Sequence, residues 1–212
     1  MNVPKSKGEK MSLKIFQVLA ILCLMVFTFF VSDFRNKKGM LPLINMKLIN
    51  VLKIFYLVPI FIYTYVILNT KNIIFYDYIG LFCTFNGAIL VGKARRDLGK
   101  YHTWAGHMLS STMIITRGIY SFIRHPIYTG ICIFILGGII IGINNNPFSL
   151  FATITIIAFV FFIGLFLIIS AVKESNYLQK MFGEKYIEYK RQVHAFLPIR
   201  KYSISKDVKA ES

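Results

Sequence analysis

Residues 148–172 read FSLFATITIIAFVFFIGLFLIISAV, 25 positions without one charged side chain. A bilayer core about 30 Å thick takes roughly 20 helical residues, with about 17 to 25 tolerated. The run therefore predicts a membrane-spanning helix. Four further stretches meet the same requirement, roughly Leu13–Val31, Leu48–Leu68, Ile73–Gly92 and Ile127–Ile143. The expected fold is all-α and integral to the membrane, with about five transmembrane helices and a C-terminal amphipathic cytosolic helix.

Composition agrees. Hydrophobic residues make up 56% of the 212, with 20 Phe, and mean hydropathy is +0.60. A soluble domain of this length cannot bury so much apolar surface, because much of its area must face water. The first span follows a basic stretch, as a signal peptide would. Its apolar run is long and no small-residue cleavage site precedes Asp33, so a retained helix is expected. Lys and Arg total 25 against 9 acids, a net charge of +16. They flank apolar runs instead of forming a face of their own, which points to the lipid bilayer as partner and away from nucleic acid. Cys23, Cys83 and Cys132 each sit within an apolar run, so neither a disulfide framework nor a metal site is expected.

Three regions follow: N-terminal transmembrane helices over 1–92, a C-terminal region over 93–201 that alternates polar and apolar stretches, and a polar tail over 202–212. Lys93, Arg95, Arg96, Lys100, Arg117 and Arg124 crowd the connection before the fourth span, and the tail after Val172 is basic again. The positive-inside rule puts both in the cytosol. Five spans then place the N-terminus outside, against Lys5, Lys7, Lys10 and Lys14, so the signals conflict at that end.

The fourth and fifth spans read as a hairpin, since Asn144-Asn145-Asn146-Pro147 is a short run of turn formers. Antiparallel neighbours bring Arg124-His125-Pro126 and Lys173-Glu174 to one membrane face. Pro126 suits the first helical position, where free N–H groups and the positive dipole end favour an anion. Arg124 and His125 beside it complete a candidate site for a carboxylate or phosphate, although Arg124 alone also suits a snorkelling membrane-edge residue. Glu174, Leu178 and Phe182 share a helical face; Gly183 interrupts, and Tyr186, Tyr189 or Lys190, and Val193 continue the spacing. An interfacial helix explains much of this. It does not explain Glu174, an acid at the end of a 25-residue apolar run, which is costly unless paired or used.

Ile114-Ile115-Thr116-Arg117-Gly118-Ile119-Tyr120, then Arg124-His125-Pro126-Ile127-Tyr128-Thr129-Gly130, resembles the signature of the isoprenylcysteine carboxyl methyltransferase family, to which phospholipid methyltransferases are related. The stretch Glu174…Leu178…Phe182-Gly183-Glu184-Lys185-Tyr186-Ile187-Glu188-Tyr189-Lys190, ending near Pro198, resembles its closing motif. The likeness covers roughly 95–200. It implies a membrane methyltransferase that uses S-adenosyl-L-methionine and a lipidated or small hydrophobic methyl acceptor. By the same resemblance Ile114, Ile115, Tyr120, His125, Pro126, Ile127, Tyr128 and Glu174 would bind the cofactor, with Arg124 and Glu174 as catalytic residues.

Three positions depart from the family pattern. Ser175 follows Glu174 where a second acid is usual. Ser170 stands where members that methylate prenylcysteine carboxylates carry an Arg, with Lys173 nearby. Leu98-Gly99 leads into Lys100-Tyr101-His102 in place of a Trp. Two other classes share features of the pattern. A sterol-reductase-like enzyme using NADPH would usually place an acid where this chain has Ile131, and a non-catalytic membrane scaffold would fit Ser170 and Ser175.

Overall fold

A computed structural model of the chain describes residues 6–32, 38–145 and 148–198. Seven α-helices are present among them: α1 Lys7–Val31, α2 Met46–Phe55, α3 Leu57–Asn69, α4 Phe75–Leu98, α5 Pro126–Asn144, α6 Leu150–Phe182 and α7 Glu184–Gln192. Five segments are long and apolar enough to cross a membrane: α1, the α2–α3 pair, α4 with the 3-10 turn that follows it, α5 and α6. The chain is an all-α, multi-pass membrane protein. The polar tail expected at 202–212 lies outside the described residues, as do Asn146 and Pro147 of the expected turn.

Each boundary has a local cause. Ser6 caps α1 reciprocally with Glu9, at 3.2 and 2.9 Å, a capping box. The second span divides at Tyr56, because Pro59 has no N–H for the Phe55 carbonyl four residues earlier. Helix α6 does not end with its apolar run at Val172. Its 33 residues give about 50 Å of helix, well beyond the apolar core, and it stops only at Gly183, whose φ of +54° favours glycine.

The principal helix pair is α4 with α5. Gly80 and Gly87 on α4 face Gly130 and Gly137 on α5 so closely that added Cβ atoms at Gly80 and Gly87 would each lie 2.7 Å from a backbone atom of α5. Lipid gives helices no hydrophobic reason to associate, so small residues that let backbones approach decide the pairing. Asp77 links the far end, accepting from Asn145 Nδ2 at 2.9 Å and from the Ile74 N–H at 2.8 Å. At the other end Arg95 of α4 donates to the Phe30 and Ser32 carbonyls at the end of α1, at 2.6 and 2.7 Å.

The expected hairpin brings His125 and Glu174 together as read from the sequence, but its two helices are not close neighbours. Helices α5 and α6 run antiparallel, but they touch little and diverge around an apolar cavity of about 500 Å³. Two three-residue strands were also unforeseen: β1 Met40–Pro42 pairs antiparallel with β2 His107–Leu109. They tie the connection after α1 to the one before α5.

Candidate active site

At the α5-start end of the bundle the cavity becomes polar. Ile114, Ile115, Tyr120, Arg124, His125, Ile127, Tyr128 and Glu174 line it, together with Tyr186 and Tyr189. Pro126 is not on the wall; it is fully buried at the first position of α5. The residues singled out in the sequence therefore meet around one mouth, with Pro126 behind it.

Helix α6 brings Glu174 to α5. Its Oε1 accepts from the Tyr128 hydroxyl, and its Oε2 lies 3.5 Å from His125 Nδ1. The His125 and Tyr128 rings stack with centroids 5.7 Å apart and planes 7° from parallel, and the Phe196 ring also approaches His125, at 5.8 Å and tilted by 34°. Next to the acid, Ser175 Oγ lies 3.1 Å from His125 Nε2 and accepts from Tyr186 Oη at 3.1 Å and Arg124 Nη1 at 3.4 Å.

The start of α5 is more covered than its sequence suggests. The segment 193–196 runs alongside it, with Ile123 and His194 forming a parallel bridge. The His194 and Ala195 carbonyls accept from the Arg124 and His125 N–H groups, both at 2.9 Å. Phe196 O accepts from Thr129 Oγ1 at 3.1 Å, and Val193 O from Arg124 Nε at 2.9 Å. Since Pro126 has no N–H, Ile127 and Tyr128 hold the first-turn amides that helix geometry leaves free.

The loop 114–121 is held by a residue that sequence reasoning passed over. Asp97 Oδ2 accepts from the Ile119 N–H at 2.8 Å, and Gly118 sits at φ +61° with no room for a Cβ against that carboxylate. This is the physical need for glycine in the Thr-Arg-Gly-Ile-Tyr stretch. Burial pushes the Tyr120 hydroxyl well up, and the charges of Glu174, Tyr189 and Asp97 add to it. Tyr189 is likewise raised, first by burial, and it donates to the Tyr120 carbonyl at 2.6 Å. The tyrosines thus stay protonated donors. Helical spacing had marked Tyr186, Tyr189 and Val193; Asp97 carries no local signal, and nothing in the 193–196 stretch announces that it pairs with the start of α5.

Ser170 is fully buried, off the cavity wall, and its hydroxyl lacks a hydrogen-bond partner among the described residues. His102, Trp104 and His107 of the connection before α5 also line the cavity.

Comparison with known proteins places this architecture. The phospholipid methyltransferase family model matches residues 76–185, from the start of α4 through the Glu174 turn into α7. A probable protein-S-isoprenylcysteine O-methyltransferase of Oryza sativa subsp. indica is 29% identical over 130 residues, 60% of this chain and 64% of that protein. The protein-S-isoprenylcysteine O-methyltransferase of Saccharomyces cerevisiae is 32% identical over 127 residues, 55% of this chain and 49% of its own length. The Arabidopsis thaliana protein-S-isoprenylcysteine O-methyltransferase B is 31% identical over 85 residues, 40% and 39% of the two chains. The chain thus spans less than two thirds of the length of each. The family match takes in 110 of the 212 residues and includes both helices that carry the polar mouth, and on that basis the chain belongs to the phospholipid methyltransferase family.

Proposed function

We propose that the protein is an integral membrane methyltransferase that takes S-adenosyl-L-methionine as donor and methylates a lipidated or small hydrophobic acceptor. One observation carries this reading: an apolar cavity of about 500 Å³ ends in a cluster where Arg124, His125, Tyr128 and Glu174 converge from two helices. A donor with a carboxylate, an ammonium group and a sulfonium fits such a donor set. Arg124 and the first-turn amides of α5 would hold the carboxylate, Glu174 the ammonium, and the faces of Tyr128 and Tyr120 the sulfonium. Ile114, Ile115 and Ile127 would enclose the apolar parts, and Pro126 would set the start of α5 without touching the ligand.

The bound donor would supply an electrophilic methyl group. The protein's share of the work is alignment and exclusion of water, which supply most of the acceleration in a direct displacement. The apolar walls between α5 and α6 would admit an acceptor from the bilayer, and the names of the relatives support a lipidated cysteine carboxylate as one candidate. Orientation follows from charge. Lys93, Arg96, Lys100, Arg117, Lys180, Lys185, Lys190 and Arg191 are exposed at the mouth end, against Lys7, Lys10, Lys14 and Lys71 at the other. The positive-inside rule makes the mouth cytosolic.

The test is calorimetric binding of S-adenosyl-L-methionine and NADPH to purified protein, with methyl transfer assayed on a prenylated cysteine, a phospholipid amine and a small thiol. Donor binding that His125→Ala and Glu174→Ala abolish is expected. Binding of NADPH alone would favour the reductase class, and donor binding indifferent to both changes would overturn the site.

A further inference from the structure

Ser175 stands out among the buried polar residues. It is 7% exposed on α6, and side chains from two other elements converge on its one oxygen: Arg124 and His125 at the start of α5, and Tyr186 from α7. A hydroxyl has one proton to give and two lone pairs. Arginine can only donate, and the Tyr186 hydroxyl donates as well, so the lone pairs are taken. The serine proton is left one destination, Nε2 of His125 at 3.1 Å.

The other side of the ring makes the same demand. Nδ1 faces Glu174 Oε2 at 3.5 Å, and a carboxylate only accepts, so the ring proton belongs on Nδ1. The Tyr128 and Phe196 rings pack against the imidazole and restrict its plane. We propose that Ser175 is a positioning residue, whose hydroxyl fixes His125 as the Nδ1–H tautomer and so aims His125 at Glu174. His125 then offers no lone pair toward Glu174. It serves as a brace that, with Tyr128, orients the carboxylate. Resting on the reading above, this assigns Ser175 an effect on donor affinity and not on the transfer step.

The chain has four histidines, few enough for 15N-histidine NMR to resolve each ring in a nanodisc, with His125→Asn to assign its pair of signals. The wild type is expected to show a bare Nε2 and a protonated Nδ1 at His125. A protonated Nε2 there overturns the proposal without any variant having to fold. Ser175→Ala is expected to shift His125 to the Nε2–H form or a mixture, leaving the other three histidines unmoved as evidence of a native fold; Ser175→Thr keeps the hydroxyl and should restore the wild-type pattern. In the same proteins the S-adenosyl-L-methionine dissociation constant should rise about tenfold in Ser175→Ala and recover in Ser175→Thr, with turnover at saturating donor within about twofold. An unchanged tautomer or an unchanged dissociation constant in Ser175→Ala overturns the positioning role. If the tautomer is as assigned but no donor binds to any form, the methyl-transfer reading falls and the tautomer assignment stands.

Discussion

Helix α5 has two very different neighbours. Toward α4 it presents Gly130 and Gly137, and the two backbones come close enough that no side chain fits between them. Toward α6 it presents Tyr128, Ile131, Ile135 and Ile139 to an open cavity, and the two helices hold to each other through polar groups at one end. The first contact is a scaffold made by removing side chains. The second is a site made by keeping helices apart. In a membrane both are equally apolar to lipid, so local shape decides which pair closes and which stays open.

The comparison can be broken most forcefully at the scaffold. Gly87→Leu drives a side chain into the α5 backbone, and overpacking of this kind costs about 1–3 kcal/mol, occasionally more. Its thermal melt in detergent should fall by many degrees. Gly164→Leu on α6, where a Cβ meets nothing within 4 Å, should melt like the wild type. Equal melting of the two would show that α4 and α5 are not the structural pair.

At the mouth, Glu174→Gln keeps the shape and removes the charge. A charge-assisted bond is worth about 1.5–3 kcal/mol, so donor affinity in titration calorimetry should fall about 10- to 100-fold while the melting temperature stays near wild type. A smaller effect falls on the cavity. Gly142 lines it with nothing within 4 Å of an added Cβ, and Gly142→Phe should fill its far end. Excluding two methylenes of a bound chain costs about 1.6 kcal/mol. Long-chain acceptors should therefore lose about tenfold in kcat/KM relative to short ones, with donor affinity unaltered. The smallest change is Tyr189→Phe, which deletes one bond to the Tyr120 carbonyl worth about 1 kcal/mol. It should lower the melting temperature by a few degrees and leave the cavity's acceptor preference alone.

Much of the fold was legible because a bilayer imposes a length on apolar runs. All five expected spans have counterparts; the second and fourth agree within two residues at both ends, while the helices of the third and fifth run nine or ten residues past the expected ends. The break at Tyr56 had its signal in Pro59, passed over because the run stays apolar on both sides. The end of α6 was legible in the spacing of Glu174, Leu178 and Phe182 and in Gly183, although the apolar run stops at Val172: leaving the membrane changes the side chains a helix prefers, not its backbone bonds. The α4–α5 pairing also left a trace, in glycines seven residues apart on both helices, but short turns drew attention to α5 and α6 instead.

The residues of the mouth were recognisable by type and order. The paired stretches around His125 and Glu174 predicted a common membrane face, and periodicity set Glu174 with Leu178. What sequence alone determined was that the chain crosses the membrane several times and carries one polar cluster at each end of its last hairpin. Only the tertiary structure decided that α5 packs on α4, that α6 stands off to leave a cavity, that 193–196 covers the start of α5, and that Ser175 is the point where Arg124, His125 and Tyr186 meet. Span length depends on each segment's own apolar surface and is written locally. Pairing, spacing and hydrogen-bond partners depend on which distant surfaces fit one another, and those are settled when the helices assemble.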